Sequence, residues 1–130
     1  MNLDSCPNVR LIEAALGNES CWRAMKKGDG RNAGDGYLDG DGDIPTVKID
    51  DLNLESCDLI WLDIQGHETE AIEGGWKTIE QFHPVIVLEE DGLPYTKKWG
   101  FDHISLSKKL LDFGYTKTIS KNHDFVYQWI

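Results

Sequence analysis

Two short runs of unbroken apolar residues flank one amphipathic stretch, and this is the clearest pattern in the chain. Leu59-Ile60-Trp61-Leu62 and Val85-Ile86-Val87-Leu88 are apolar at every position. Strands apolar on both sides suit the middle of a parallel sheet. Between them, Ile72, Trp76 and Ile79 recur at i, i+4 and i+7, and Phe82 extends the stripe, so the spacing predicts a helix over 68–82. Glu68, Glu70 and Glu73 near its start complement the helix dipole. His83-Pro84 ends it. Strand, helix and strand fill about 30 residues, the size of a βαβ unit. A right-handed crossover would set the two strands parallel in one sheet. The runs lead into Asp63 and Glu89. Ligands in such sheets bind outside the carboxyl ends of the strands. Two acids expected at that edge are therefore the leading candidates for chemistry.

The flanks are weaker. VRLIEAAL (9–16) fits a strand or a short helix, and CWRAMKK (21–27) fits a strand. GDGRNAGDGYLDGDGD (28–43) is rich in Gly and Asp with almost no apolar content. Glycine entropy and aspartate side-chain competition disfavour regular structure there, which predicts a flexible surface loop. Thr46, Val47 and Ile49 suit a short strand, and Asp50-Asp51 suit the cap of a brief helical turn. After a loop with Pro94, Tyr95 and Trp99, the stripe of Leu106, Leu110 and Phe113 predicts a helix over 105–113 that stops at Gly114. YTKTIS and DFVYQWI flank Lys121-Asn122-His123, the pattern of a closing antiparallel hairpin.

Composition narrows the function classes. A chain of 130 residues makes one domain. Its net charge of −10 repels a phosphate backbone and an anionic bilayer, which excludes nucleic acid and membrane surfaces as partners. Cys6, Cys21 and Cys57 show no C-x-x-C pairing and read as reduced thiols of a cytoplasmic chain. No run reaches transmembrane length, and the first residues carry no apolar signal core.

Several motifs fail their context. An EF-hand loop starting at Asp39 has Ile44 where glycine is required, and one starting at Asp35 has Tyr37 and Thr46 at ligand positions. Asp41-Gly42-Asp43 imitates the D-x-D of metal-dependent glycosyltransferases, a pattern common in Asp-rich loops. No metal is expected. The Gly-x-Gly triplets at 28–30, 34–36 and 40–42 each hold a central aspartate and follow no apolar strand, so they are not a dinucleotide loop. His67 differs from the other histidines because it follows Asp63 by four positions at a strand end. A histidine there suits a general base; the plainer alternative is an exposed turn residue.

The stretch 47–90 resembles the FkbM-type methyltransferase family. The family shows an Asp-Asp-Leu, then a strand ending in Asp-x-Glu/Gln-Gly-x-Glu, here Asp63-Ile64-Gln65-Gly66-His67-Glu68. A helix with a Leu-x-Gly-type step follows, here Ile72-Glu73-Gly74-Gly75. A strand from proline to glutamate closes the match, here Pro84 to Glu89. EAALGNES (13–20), LLDFGY (110–115) and Asn122 are similar to flanking parts of the family. The resemblance implies an α/β fold, a Rossmann-like class I methyltransferase sheet with a closing antiparallel hairpin. It also implies methyl transfer from S-adenosylmethionine to an oxygen of a small molecule or sugar. By the same resemblance, Asp63, His67, Glu68 and Glu89 are the catalytic candidates, and Asp63, Gln65 and Gly66 the cofactor-binding ones. His67 stands where the family more often has a small residue.

The family opens with a strand, a glycine-rich turn and a helix that receive the cofactor, and nothing before Asn8 matches them. The expectation is one partial methyltransferase domain over 1–130, truncated at its N-terminus. Strand 59–62 then becomes an edge strand, expected to self-associate or to pair with a separately encoded N-terminal half. The alternative function is a non-catalytic Rossmann-like remnant serving as an interaction or regulatory subunit.

Overall fold

The weakly patterned upstream third folds as small sheets in the computed structural model, which describes residues 6–27, 36–89, 103–119 and 124–130. The strands are β1 (Ala15–Leu16), β2 (Cys21–Arg23), β3 (Met25–Lys26), β4 (Tyr37–Leu38) and β5 (Ile44–Val47). β5 lies between β1, to which it is parallel, and β2, to which it is antiparallel. β3 and β4 form a separate antiparallel pair. Of the 9–16 segment only Ala15 and Leu16 join a strand, and Val9, Leu11 and Ile12 are exposed. Within the stretch expected to be loop, Tyr37 and Leu38, its adjacent apolar pair, form β4. The triplet at 28–30, most of the one at 34–36, the Pro94–Trp99 loop and the 121–123 turn lie outside the described residues.

A 3-10 turn, Ile49–Leu52, leads into β6 (Leu59–Leu62), α1 (Glu68–Gly74), α2 (Trp76–Phe82) and β7 (Val85–Glu89). α3 (His103–Phe113), β8 (Tyr115–Ile119) and β9 (Asp124–Trp129) complete the chain. The βαβ unit forms as the periodicity predicts, with β6 parallel to β7 in the register Leu59↔Val85 to Leu62↔Leu88. Its helix is interrupted at Gly75. Asp50 does not cap its own turn; it caps α2 instead. Its Oδ1 accepts from Thr78 N at 2.9 Å and Thr78 Oγ1 at 2.8 Å, and its Oδ2 from Lys77 N at 3.3 Å. These bonds satisfy amides that a helix start leaves without partners.

The larger sheet has the order β6-β7-β9-β8, with β9 antiparallel to both neighbours. One face is the core: Ile60, Leu62, Ile86, Leu88 and Tyr127 cluster with Ile72, Ile79, Leu106 and Leu110 of the helices. The other face of β6 is open among the described residues, with Leu59 53% and Trp61 66% exposed. β6 is therefore not the doubly buried central strand that its composition suggests. The described helices bury one side only, and an unbroken apolar run reads the same whether one face or both are covered.

Tyr115 anchors the hairpin to this core by donating its hydroxyl to the Pro84 carbonyl at 2.9 Å. Burial, and then the nearby Cys57, push its pKa up to about 12, against about 10 for a free phenol. The folded value lies above the unfolded one. The neutral phenol's contribution is thus complete below pH ~10 and is lost as pH rises through ~12. Tyr115→Phe is expected to lower stability by about 1 kcal/mol at neutral pH. It should also flatten the alkaline limb of a urea-denaturation series, and an unchanged limb would remove Tyr115 as its cause.

Candidate functional site

After Leu62 the chain must turn sharply to enter α1, and it does so with two successive left-handed residues, Gln65 (φ 55°) and Gly66 (φ 98°). Glycine adopts that region freely, whereas a non-glycine residue there is strained and marks a constrained site. The constraint at Gln65 is visible in its side chain. Nε2 donates to Asp63 Oδ1 at 3.2 Å and lies 3.4 Å from Glu89 Oε2. Asp63 and Glu89 thus share one sheet edge, as the two strand ends predict, and an amide bridges them. Without that donor two like charges would stand opposed.

Glu68 turns back beneath the same loop. Its Oε1 accepts from Ile64 N at 3.0 Å, and the residue is 1% exposed. Oε2 has no partner among the described residues. Glu68 therefore braces the loop from inside and does not line the cavity described below. His67 is 6% exposed. Its Nε2 donates to the Leu38 carbonyl at 3.0 Å, and Nδ1 lies 3.3 Å from Glu70 Oε2. Both partners are acceptors, so each bond needs a proton on its own nitrogen. The ring tethers β4 to the start of α1, and neither nitrogen is left without a partner. It is not an exposed turn residue.

A cavity of about 580 Å³ lies between this loop and the small sheets, a size typical of small-molecule sites. Asp63, Gln65 and His67 form one wall; Leu16, Tyr37 and Ile44 belong to the other. Glu89 and Gly66 are not on it. Sequence reasoning missed Tyr37 because its segment read as solvated loop. Its one signal was an apolar pair inside an otherwise polar stretch.

The family model for the methyltransferase FkbM domain matches residues 11–129. Among curated proteins, the chain is similar to the 2-O-methyltransferase NoeI of Sinorhizobium fredii (strain NBRC 101917 / NGR234). The two are 44% identical over a stretch covering 32% of this chain and 19% of that protein. The match thus spans about a fifth of the relative's length. No solved structure gives a significant match.

The brace under the loop is testable on its own. Glu68→Ala leaves the Ile64 amide without its acceptor and is expected to lower stability by about 1–3 kcal/mol. Glu68→Gln keeps an acceptor oxygen and should retain most of it. Chemical denaturation of both variants decides the matter, and an alanine variant as stable as the parent would rule the brace out.

Proposed function

The chain belongs to the methyltransferase FkbM family, and from that premise we propose that it transfers a methyl group from S-adenosylmethionine to a hydroxyl oxygen of a small molecule or sugar. The observation that carries this reading is Asp63, at the carboxyl end of β6 on the wall of the cavity. A hydroxyl oxygen that gains a methyl group must lose its proton. Asp63 is the proton acceptor in this reading, because His67 is tied to Leu38 and Glu70. Gln65 orients Asp63 through Oδ1. Among the described residues nothing bonds Oδ2, which receives the proton. The apolar wall limits competing water.

The family generally uses S-adenosylmethionine, whose sulfonium supplies a reactive methyl group. The cavity's carboxylates suit that positive charge. The methionine carboxylate of the cofactor is not matched: no Lys or Arg is among the described lining residues, and Gln65 Nε2 already serves Asp63 and Glu89. The described residues therefore do not fit the whole cofactor, and its contacts are not assigned. Each missing charge-assisted hydrogen bond weakens binding by about 1.5–3 kcal/mol. Calorimetry on the chain alone should accordingly show weak binding of S-adenosylmethionine, and a low-micromolar Kd would overturn that account. With labelled cofactor at saturating concentration, Asp63→Ala should lower methyl transfer by about 100-fold or more, and Glu89→Ala by less. Equal losses would sink the assignment of the base.

A second reading, an association module, is favoured by the open edge of β6. The strand pairs only with β7 among the described residues and exposes Leu59 and Trp61. Such an edge accepts a strand from another chain. Exposed Asp58 and Asp63 bracket it, so the fitting occupant is an apolar strand with basic ends. A second copy would bring the same two acids to the pairing, so a basic-ended strand suits this edge better than a second copy does. An alternating apolar peptide with lysines at both ends should slow amide exchange at 59–62, and its glutamate-ended analogue should not. Trp61→Lys should abolish the protection. If the two peptides protect equally, or neither does, the reading fails.

A further inference from the structure

The cavity has two unlike sides, and the difference bears on what can enter it. Tyr37, Leu16 and Ile44 contribute apolar surface, whereas Glu13, Asp43 and Asp63 bring three carboxylates. Among the described residues lining it there is no Lys or Arg. Two of the lining side chains have their N–H donors already engaged: Gln65 Nε2 with Asp63 and Glu89, and His67 Nε2 with the Leu38 carbonyl. The described wall therefore offers many acceptors and few donors.

That asymmetry discriminates between ligand classes. A phosphate or carboxylate is recognised by cations and N–H donors. Here it would shed water, find few donors and meet like charge. A ring carrying several hydroxyls has the opposite needs. Its O–H groups donate to carboxylates, and its C–H face lies against an aromatic or aliphatic wall. We propose that the cavity takes an uncharged, polyhydroxylated ring, a sugar or cyclitol without phosphate or carboxylate groups, held between Tyr37 and the acids. Calling that ligand the methyl acceptor rests on the methyl-transfer reading; the selection against anions does not.

Binding can be measured without cofactor, by NMR on the full ¹⁵N-labelled chain. The probes are neutral methyl glycosides of several hexoses, free inositol, and the hexose 6-phosphates. A neutral probe is expected to shift the amides of Tyr37, Gln65 and His67. The phosphates should bind at least about tenfold more weakly, a difference of roughly 1.4 kcal/mol. Glu13→Lys with Asp43→Lys, checked for folding by circular dichroism, should narrow or reverse that gap. Tyr37→Ala, checked the same way, should weaken the neutral probe. A hexose phosphate that binds as tightly as its neutral counterpart would overturn the proposal. So would the failure of every neutral probe to shift these amides up to its solubility limit. A neutral sugar that binds but receives no methyl group at saturating cofactor would sink the methyl-transfer reading alone. Methyl transfer to a sugar phosphate in preference to its neutral parent would sink this proposal alone.

Discussion

The site exists because two backbones touch. A Cβ on Gly74 would stand 2.0 Å from the carbonyl oxygen of Gly17, and a Cβ on Gly17 would stand 2.6 Å from Thr46 Cγ2. A side chain at 74 would part α1 from the end of β1, and one at 17 would push against β5 within the small sheet itself. Glycine loses more backbone entropy on folding than other residues, and here that loss permits the small sheet to press against the βαβ unit. Asn18 Nδ2 donates to Glu73 Oε2 at 3.0 Å beside the contact. The His67–Leu38 bond ties the second small sheet to the start of the same helix. The cavity lies between these ties, so its walls are set by packing and not by the strand-end loop alone.

This contact gives a physical reason for two fragments of the family resemblance that looked unrelated in the sequence. Ala15-Leu16-Gly17 and Ile72-Glu73-Gly74-Gly75 lie far apart along the chain, yet their glycines meet. Gly75 contributes as well, since a Cβ there would crowd Ile49 at 3.0 Å. The helical step thus fits against both the end of β1 and the turn after β5. Asp50, in that turn, caps the helix half that begins after Gly75. The interruption between α1 and α2 and the cap that restarts the helix are parts of one arrangement.

The legible parts of the fold were those carried by periodicity. Strand, helix and strand over 59–89 announced themselves, and parallel pairing then fixed Asp63 and Glu89 at one edge. The hairpin of β8 and β9 was legible for the same reason. What stayed hidden depends on contacts between segments remote in sequence. Nothing in the spacing of His67 reveals that a carbonyl from β4, 29 positions earlier, occupies its Nε2. A histidine near a strand end reads as a base until that partner is known. Glu68 was hidden in another way: an acid in the first turn of a helix usually faces water and the dipole, and this one is folded under the preceding loop. β4 was missed because two apolar residues among glycines and aspartates carry too little period to mark a strand.

The residue at 65 shows how one atom governs the electrostatics of the edge. The strand-end signature tolerates Glu or Gln at this position, and the two are not equivalent in this geometry. A glutamate would bring a third carboxylate to within about hydrogen-bonding distance of two others, with no donor to separate them. It would need a bound cation or a shared proton. The amide supplies N–H groups instead, and its Nε2 reaches both Asp63 and Glu89 from a backbone held in the left-handed region. Strain at a non-glycine residue persists only where surrounding contacts over-determine it, and the bridge between two strand ends is such a contact. Gln65 therefore joins the ends of β6 and β7 as well as lining the cavity. A change there would alter the spacing of the acids and the shape of the wall together.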